Sequence, residues 1–393
     1  MGARAFGRGG SVPRRDERGG RAMGNEQRVS MVRRRGFLAA IGGVAFFNEA
    51  TLAQNSYIQG AAEGAVMINA NEFPLGPCAE ALEAVKATAA NGGRYLFGEA
   101  FKLAGAGAAA EGVAASHCAA FAGSSDPLHR AVLAYCGKGM PLVTASPGYE
   151  SPEGAAAFLG VPVHRVPLRQ SDYAHDVGAM LSAAAGKPAL FYVTTPNNPT
   201  GTVTPMGDLE RLVKEMAAGS CALIDEAYIH FTEVPSALKL IDGEKDVAVL
   251  RTFSKIYGMA GLRAGLMYAR PEVLGRIGPY GVGFVPATGM VGARVSLGVK
   301  GLVAERRAYV RKIREDLCQW LDARQTGYIP SVSNKIMVDA GRPGRQLAGA
   351  LARERVYVGR SWPSMPNHVR VTIGTPEEMA AFKRALAKVY SAA

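Results

Sequence analysis

A series of short apolar runs, each closed by polar or turn residues, constrains this chain more than any other feature. Pro141-Leu-Val-Thr144, Ala189-Leu-Phe-Tyr-Val193, Cys221-Ala-Leu-Ile-Asp225 and Val247-Ala-Val-Leu250 read as buried strands. Between two of them Leu209, Leu212, Val213 and Met216 recur at the i, i+3, i+4, i+7 spacing of a helix. Strands joined by crossover helices over about residues 118–265 predict an α/β fold with a mainly parallel sheet covered by helices. In such a sheet, ligands bind beyond the C-terminal ends of the strands, so the residues that close each run are the candidates for function.

Those closing residues share one chemistry. Leu250 leads into Arg251-Thr-Phe-Ser-Lys-Ile-Tyr-Gly-Met-Ala-Gly-Leu-Arg-Ala-Gly265, which places Lys255 among Thr252, Ser254 and Arg263. Hydroxyls and a guanidinium suit a phosphate. A lone lysine after a strand is ordinarily a solvated surface group. As a free amine it is mostly protonated at neutral pH and a poor nucleophile unless desolvated or stored as an imine. A lysine beside a phosphate cradle therefore suggests pyridoxal phosphate. Phe121-Ala-Gly-Ser-Ser-Asp-Pro-Leu128 gives a second anion site, where Ser124 and Ser125 precede Pro127 at the expected helix start; the same residues would also make an ordinary N-cap. Tyr149 follows the strand at 141–144, Thr195-Pro-Asn-Asn-Pro-Thr-Gly201 follows Val193, and Asp225 and Tyr228 close the run from Cys221.

The stretch Ser254 to Gly265, S-K-x-x-G-x-A-G-L-R-x-G, resembles the cofactor-lysine signature of the class I and II aminotransferases. Within that family it resembles the branch holding histidinol-phosphate aminotransferases and threonine-phosphate decarboxylases. Pro196-Asn-Asn-Pro-Thr-Gly201, Asn69-Ala-Asn-Glu-Phe-Pro74 and Val369-Arg-Val-Thr-Ile-Gly-Thr375 extend the likeness over roughly residues 65 to 390. The resemblance implies a fold-type I pyridoxal 5′-phosphate transferase working as a homodimer. It implies that Lys255 tethers the cofactor, that Asp225 pairs with its pyridine nitrogen, and that Asn198 and Tyr228 bond its ring oxygen. Tyr149 would stack on the ring, with Ser124, Ser125, Thr252, Ser254 and Arg263 around the phosphate. Tyr95 would reach the neighbouring subunit's cofactor. Arg370 would fork onto the substrate carboxylate, with Asn71 close by and Arg360 as a second positive contact; alone, Arg360 reads as a surface loop arginine.

The sequence departs from the family pattern in places. Leu96 stands where a proline follows the tyrosine, and Asp126 replaces the usual acid. Leu103 to Ala115 is nearly all alanine and glycine, a composition expected to pack with little side-chain order. Phe73 lacks the hydroxyl that related histidinol-phosphate enzymes can offer a phosphate, so no substrate is named beyond an amino acid or related amine and a 2-oxo acid. The expected activity is transamination. The alternatives are a decarboxylase or lyase on the same scaffold, because the cofactor stabilises a carbanion whichever bond breaks, and an exported binding module without catalysis.

Four segments are expected: a leader at 1–54, an N-terminal arm at 55–84 joining the small domain, a large cofactor domain at 85–285 and a small domain at 286–393. In the last, Val303, Val310, Ile313, Leu317 and Trp320 trace a long helix, and Thr375-Pro-Glu-Glu378 is a capping box. A helix is expected from Ala79 to about Ala90, with Leu82 and Val85 on one face. The net charge of +12 resembles a nucleic-acid or membrane signal. Residues 1–35, however, hold ten arginines against Asp16, Glu17 and Glu26, which is 10 − 3 = +7, and the remainder carries only 12 − 7 = +5. No nucleic-acid partner and no membrane span are expected. Arg34-Arg35-Gly-Phe-Leu38 followed by an apolar run to Phe47 and Thr51-Leu-Ala53 resembles a twin-arginine export signal with a cleavage site. Such a route carries folded proteins, which suits a chain that loads a cofactor before export. Five cysteines at irregular spacing, with no C-x-x-C pair, point to core thiols rather than a zinc site or disulfide framework.

Overall fold

The computed structural model describes residues 63–281 and 283–391, so the leader expected at 1–54 lies outside the described residues. Its strands in chain order are β1 (Val66–Ile68), β2 (Cys118–Phe121), β3 (Leu142–Ser146), β4 (Val163–Pro167), β5 (Leu190–Thr194) and β6 (Cys221–Asp225). They continue with β7 (Asp246–Thr252), β8 (Gly265–Ala269), β9 (Tyr328–Ile329), β10 (Lys335–Asp339), β11 (Val356–Val358) and β12 (His368–Thr372). Seven form one sheet in the order β2-β8-β7-β6-β5-β3-β4, with β8 antiparallel to both neighbours and every other pairing parallel.

The apolar runs are uniform because this sheet is covered on both faces. Along β5 and β6, successive residues alternate between two cores: Phe191, Val193, Ala222 and Ile224 enter one, and Leu190, Tyr192, Cys221 and Leu223 enter the other. A strand with helices above and below has no polar face to show, so no hydrophobic alternation survives in the sequence. The parallel strands also deliver all their C-terminal ends to one edge. Because β8 runs the other way, it begins at that edge, two residues after Arg263.

The chain beyond this sheet forms β12-β10-β9, antiparallel throughout, while β1 pairs in parallel with β11 in the register Val66↔Val356. The N-terminal segment is thus tied to residues nearly three hundred positions later. The capping box forms as read: the Thr375 N–H donates to Glu378 Oε2 at 2.7 Å, and the Glu378 N–H donates to Thr375 Oγ1 at 3.2 Å. The helix Leu302–Asp322 buries Val310, Ile313 and Leu317, but its stripe is completed by Leu302, Arg306 and Leu321; Val303 and Trp320 are only partly covered.

Three local readings need correction. Most of the alanine-glycine tract, up to Glu111, lies in an ordered helix, Gly98–Glu111, that buries Leu103, Ala104, Gly107 and Ala108. Its small residues permit close approach: a Cβ at Gly107 would lie 2.4 Å from the Leu266 side chain, and the Tyr268 hydroxyl donates to the Gly107 carbonyl at 3.2 Å. The helix Ala79–Ala89 turns Ala81 inward, and Leu82 remains 41% exposed. Finally, the helix Ser125–Tyr135 begins two residues before Pro127. No helix among the described residues is long and apolar enough to cross a membrane. All five cysteines are free thiols, and all but Cys318 are buried.

Candidate active site

The exit of β7 supplies the amine. Thr252 Oγ1 accepts the Ser254 N–H at 3.2 Å and donates to Ser254 Oγ at 3.0 Å, which turns the chain tightly before Lys255. Burial, then the positive charge of Arg370, lowers the Lys255 amine to about 8, with Glu72 and Asp225 opposing. An amine of that strength is a usable nucleophile near neutral pH.

Beside it is an anion cradle. Arg263 Nη1 donates to Ser254 Oγ at 3.2 Å, and Nη2 to the Ala122 carbonyl at 3.4 Å. Arg263 has φ of 53°, a left-handed backbone that is uncommon for arginine. The close fit depends on missing side chains. A Cβ on Gly123 would lie 2.3 Å from the Arg263 guanidinium, and one on Gly265 would lie 2.5 Å from the Gly123 backbone. Ser124 is the N-cap of the helix Ser125–Tyr135, yet its side chain makes no capping bond. Asp126, the substituted acid, is engaged in its own helix by Arg130, at 2.7 and 2.9 Å. The helix start therefore offers N–H groups and serine hydroxyls next to a guanidinium.

At the exit of β6, Asp225 is buried and held on both oxygens, by the Tyr192 hydroxyl at 2.8 Å and the Ala227 N–H at 3.0 Å. Burial raises its pKa, against those two hydrogen bonds and the charge of Lys255. The Tyr228 hydroxyl accepts from Asn71 Nδ2 at 3.0 Å, and the Lys255 amine lies 5.6 Å from its ring centre. Asn71, with φ of 55°, also receives the Thr372 hydroxyl at 3.2 Å and donates to Asn198 Oδ1 at 3.3 Å.

Arg370 reaches this cluster from β12. It is 3% exposed, donates to Asn198 Oδ1 at 3.0 Å and to the Asn69 carbonyl, and keeps a buried Nε with no partner among the described residues. Burial lowers it to about 10, so it stays charged at neutral pH, and among the described residues it makes no ion pair with a carboxylate. Asn198 thus gives its amide oxygen to Arg370 and Asn71, which leaves its nitrogen for a ligand. Arg360 lies beside Arg370, because the Arg370 N–H donates to the Arg360 carbonyl at 3.3 Å. Its guanidinium stacks over Trp362 at 4.1 Å and is paired with Glu150. The expected second substrate cation is therefore already matched by a carboxylate.

The structure brings Lys255, Asp225, Tyr228, Asn198, Asn71 and Arg370 into one cluster, with Thr252, Ser254, Arg263, Ser124 and Ser125 beside it. Tyr149 leaves β3 at the same edge, on a loop held by Trp362 Nε1 donating to the Gly148 carbonyl at 3.1 Å. Tyr95 is elsewhere: it is 73% exposed and stacks on Phe97 at 5.2 Å. Sequence reading missed Tyr192, Glu150, Trp362 and Lys335. Tyr192 could have been found, since a phenol inside a buried strand needs a partner.

Comparison with known proteins accords with this geometry. The sequence pattern of aminotransferase class I and II matches residues 65–386. A histidinol-phosphate aminotransferase of Symbiobacterium thermophilum is 34% identical over 332 residues, covering 82% of this chain and 89% of the relative. An aromatic amino acid aminotransferase of Rhodococcus jostii is 33% identical over 321 residues, covering 81% and 88%. The solved histidinol-phosphate aminotransferase of Sinorhizobium meliloti, in complex with pyridoxal-5′-phosphate, shares the fold at a TM-score of 0.77 and 24% identity, covering 83% of this chain and 91% of that one. With the family pattern spanning the whole sheet and the site at its edge, the chain belongs to the class I and II aminotransferases.

Proposed function

We propose that Lys255 tethers pyridoxal 5′-phosphate at this sheet edge, and that the residues around it move an amino group from an amino acid or related amine to a 2-oxo acid. The chain is a pyridoxal-phosphate-dependent aminotransferase by family; the residue roles are our assignment. One observation carries it. A weakened amine, a buried carboxylate and a guanidinium without a carboxylate meet within one cluster.

The site fits the cofactor. The Arg263 guanidinium packs directly against Gly123, which gathers it with Ser254 and the N–H groups of the helix start into a set of donors that suits its phosphate. When bound, the cofactor supplies an electron sink for the pair left on the substrate α-carbon. Asp225, oriented by Tyr192, is the anion for the pyridine nitrogen. The phenol of Tyr228 and the amide nitrogen of Asn198 are donors for the ring oxygen, and Tyr149 provides a face to stack on. Arg370 orients the substrate by a two-pronged grip on its α-carboxylate. Lys255, once its amine is free, takes the α-proton as a general base and returns it as an acid.

Arg360 matched by Glu150, and Phe73 without a hydroxyl, both weaken the case for a phosphate-bearing donor, although several relatives are histidinol-phosphate aminotransferases. Donors are therefore sought first among amino acids. Protein loaded with cofactor and given an amino acid is expected to lose its visible band and release one 2-oxo acid per site. Carbon dioxide release instead would favour the decarboxylase reading, and colourless protein the non-catalytic one.

We further propose that Arg34 and Arg35 direct export of the folded chain to the periplasm. Replacing both by lysine in a reporter fusion is expected to retain the product in the cytoplasm; unchanged export would refute the signal. Association of two copies is the final element of this reading, with Tyr95 contributed to the neighbouring site.

A further inference from the structure

Lys335 opens β10 and takes no part in the roles above. It is fully buried, and its ε-amine lies 3.1 Å from the centre of the Tyr228 ring while donating to Ser333 Oγ at 3.0 Å. The charged groups acting on it are Arg370, Lys255 and Asp225, and Tyr228 is the titratable group in contact. Among the described residues it forms no ion pair. A buried amine without an acid does not stabilise a fold, and an unbranched apolar side chain such as methionine would fill the same space without the desolvation penalty. Its place, against the ring of one site tyrosine and in the field of the site lysine, points to the reaction instead.

We propose that Lys335 is a positioning residue that acts through Tyr228. Its amine holds the ring in place and draws electron density from the phenol, strengthening the hydrogen bond that Tyr228 gives the cofactor's ring oxygen. The inference rests on the cofactor reading above. Burial, followed by the like charges of Arg370 and Lys255, pushes the Lys335 amine well below the usual lysine range. The sign of its effect does not depend on that charge state. A neutral N–H directed at the ring and an ammonium over it both make the phenol a better donor. A better donor at the ring oxygen favours loss of the proton from the Lys255–cofactor linkage, so removing the amine makes that proton harder to lose.

The test uses protein loaded with pyridoxal 5′-phosphate and reads the pH midpoint of its visible band in wild type, Lys335→Met and Ser333→Ala. K335M is expected to raise the midpoint by about one pH unit. S333A, which removes the hydroxyl that holds the amine, should move it the same way by less. A K335M band with the wild-type midpoint overturns the inference and leaves the cofactor assignment standing. A wild-type chain with no visible band removes both. If K335M does not fold, S333A decides: an upward shift supports the role, and an unchanged or lowered midpoint overturns it.

Discussion

In the role proposed for it, Lys255 must be nucleophilic at a pH where an ordinary lysine is not. Burial and the nearby Arg370 bring its amine to about 8. At pH 7.5 that leaves roughly a quarter of it neutral, against about one part in a thousand for an unperturbed lysine near 10.4. The reactive form lies above the pKa, so the rate at which cofactor-free protein captures pyridoxal phosphate should climb with a midpoint near pH 8 and level off above it. A rate still rising toward pH 10 would show that the amine is not perturbed. Arg370 is tested separately. Its guanidinium reaches into this cluster with no carboxylate partner among the described residues, so Arg370→Gln should lower kcat/KM for donor and acceptor alike by about 100-fold, roughly 3 kcal/mol. The visible band should persist, since the cofactor's own contacts are elsewhere. Loss of the band in that variant would place Arg370 in cofactor binding instead.

At the scale of elements, the site depends on how closely β8 approaches the loop after β2. A Cβ at Gly265 would come 2.5 Å from the Gly123 carbonyl carbon and 2.7 Å from the Ser124 nitrogen, both backbone atoms that cannot swing aside. Gly265→Ala should therefore destabilise the cofactor-free chain by about 1–3 kcal/mol and weaken cofactor retention further, because the Ser124 N–H moves. Gly261→Ala, which meets nothing within 4 Å, is the control expected to change neither. Denaturant titration and cofactor dissociation measure the two effects. The same scale explains what was legible beforehand. Asp225, Lys255 and Asn198 stand out in the sequence because each follows an apolar run, so strand and candidate site residue are adjacent along the chain. Glu150 on Arg360, Trp362 under the Tyr149 loop and Lys335 against Tyr228 are pairings between segments more than a hundred residues apart, which no local pattern encodes. The alanine-glycine tract was misread for a related reason. Small residues signal close packing only once the opposing surface, here Leu266 and Tyr268 of β8, is known.

At the scale of the whole molecule, a cluster of aromatic rings is exposed among the described residues. Tyr95, Phe97, Phe101 and Phe284 are 73%, 54%, 79% and 55% exposed, and Phe284 lies 5.4 Å from Tyr95 and 5.7 Å from Phe97, centre to centre. Aromatic rings clustered in water forfeit the burial that makes them stabilising, so such a patch marks an interface. Leu96 sets its geometry. Its φ of 51° is closed to proline, so the departure from the family's tyrosine-proline pattern is built into this turn. A second copy is the proposed occupant, because Tyr95 is the residue assigned to a neighbouring cofactor and it stands in the middle of the patch. Light scattering should give wild-type protein about twice the 41.3 kDa chain mass. Phe97→Asp, which buries a carboxylate in the contact, should yield a species of chain mass. If Tyr95 completes the partner's site, that species should also hold pyridoxal phosphate about tenfold more weakly, and Tyr95→Phe should weaken it by a comparable factor while the mass stays doubled. Dimers that retain full cofactor affinity in Tyr95→Phe would keep the interface and discard the shared site; a wild-type monomer with full activity would discard both.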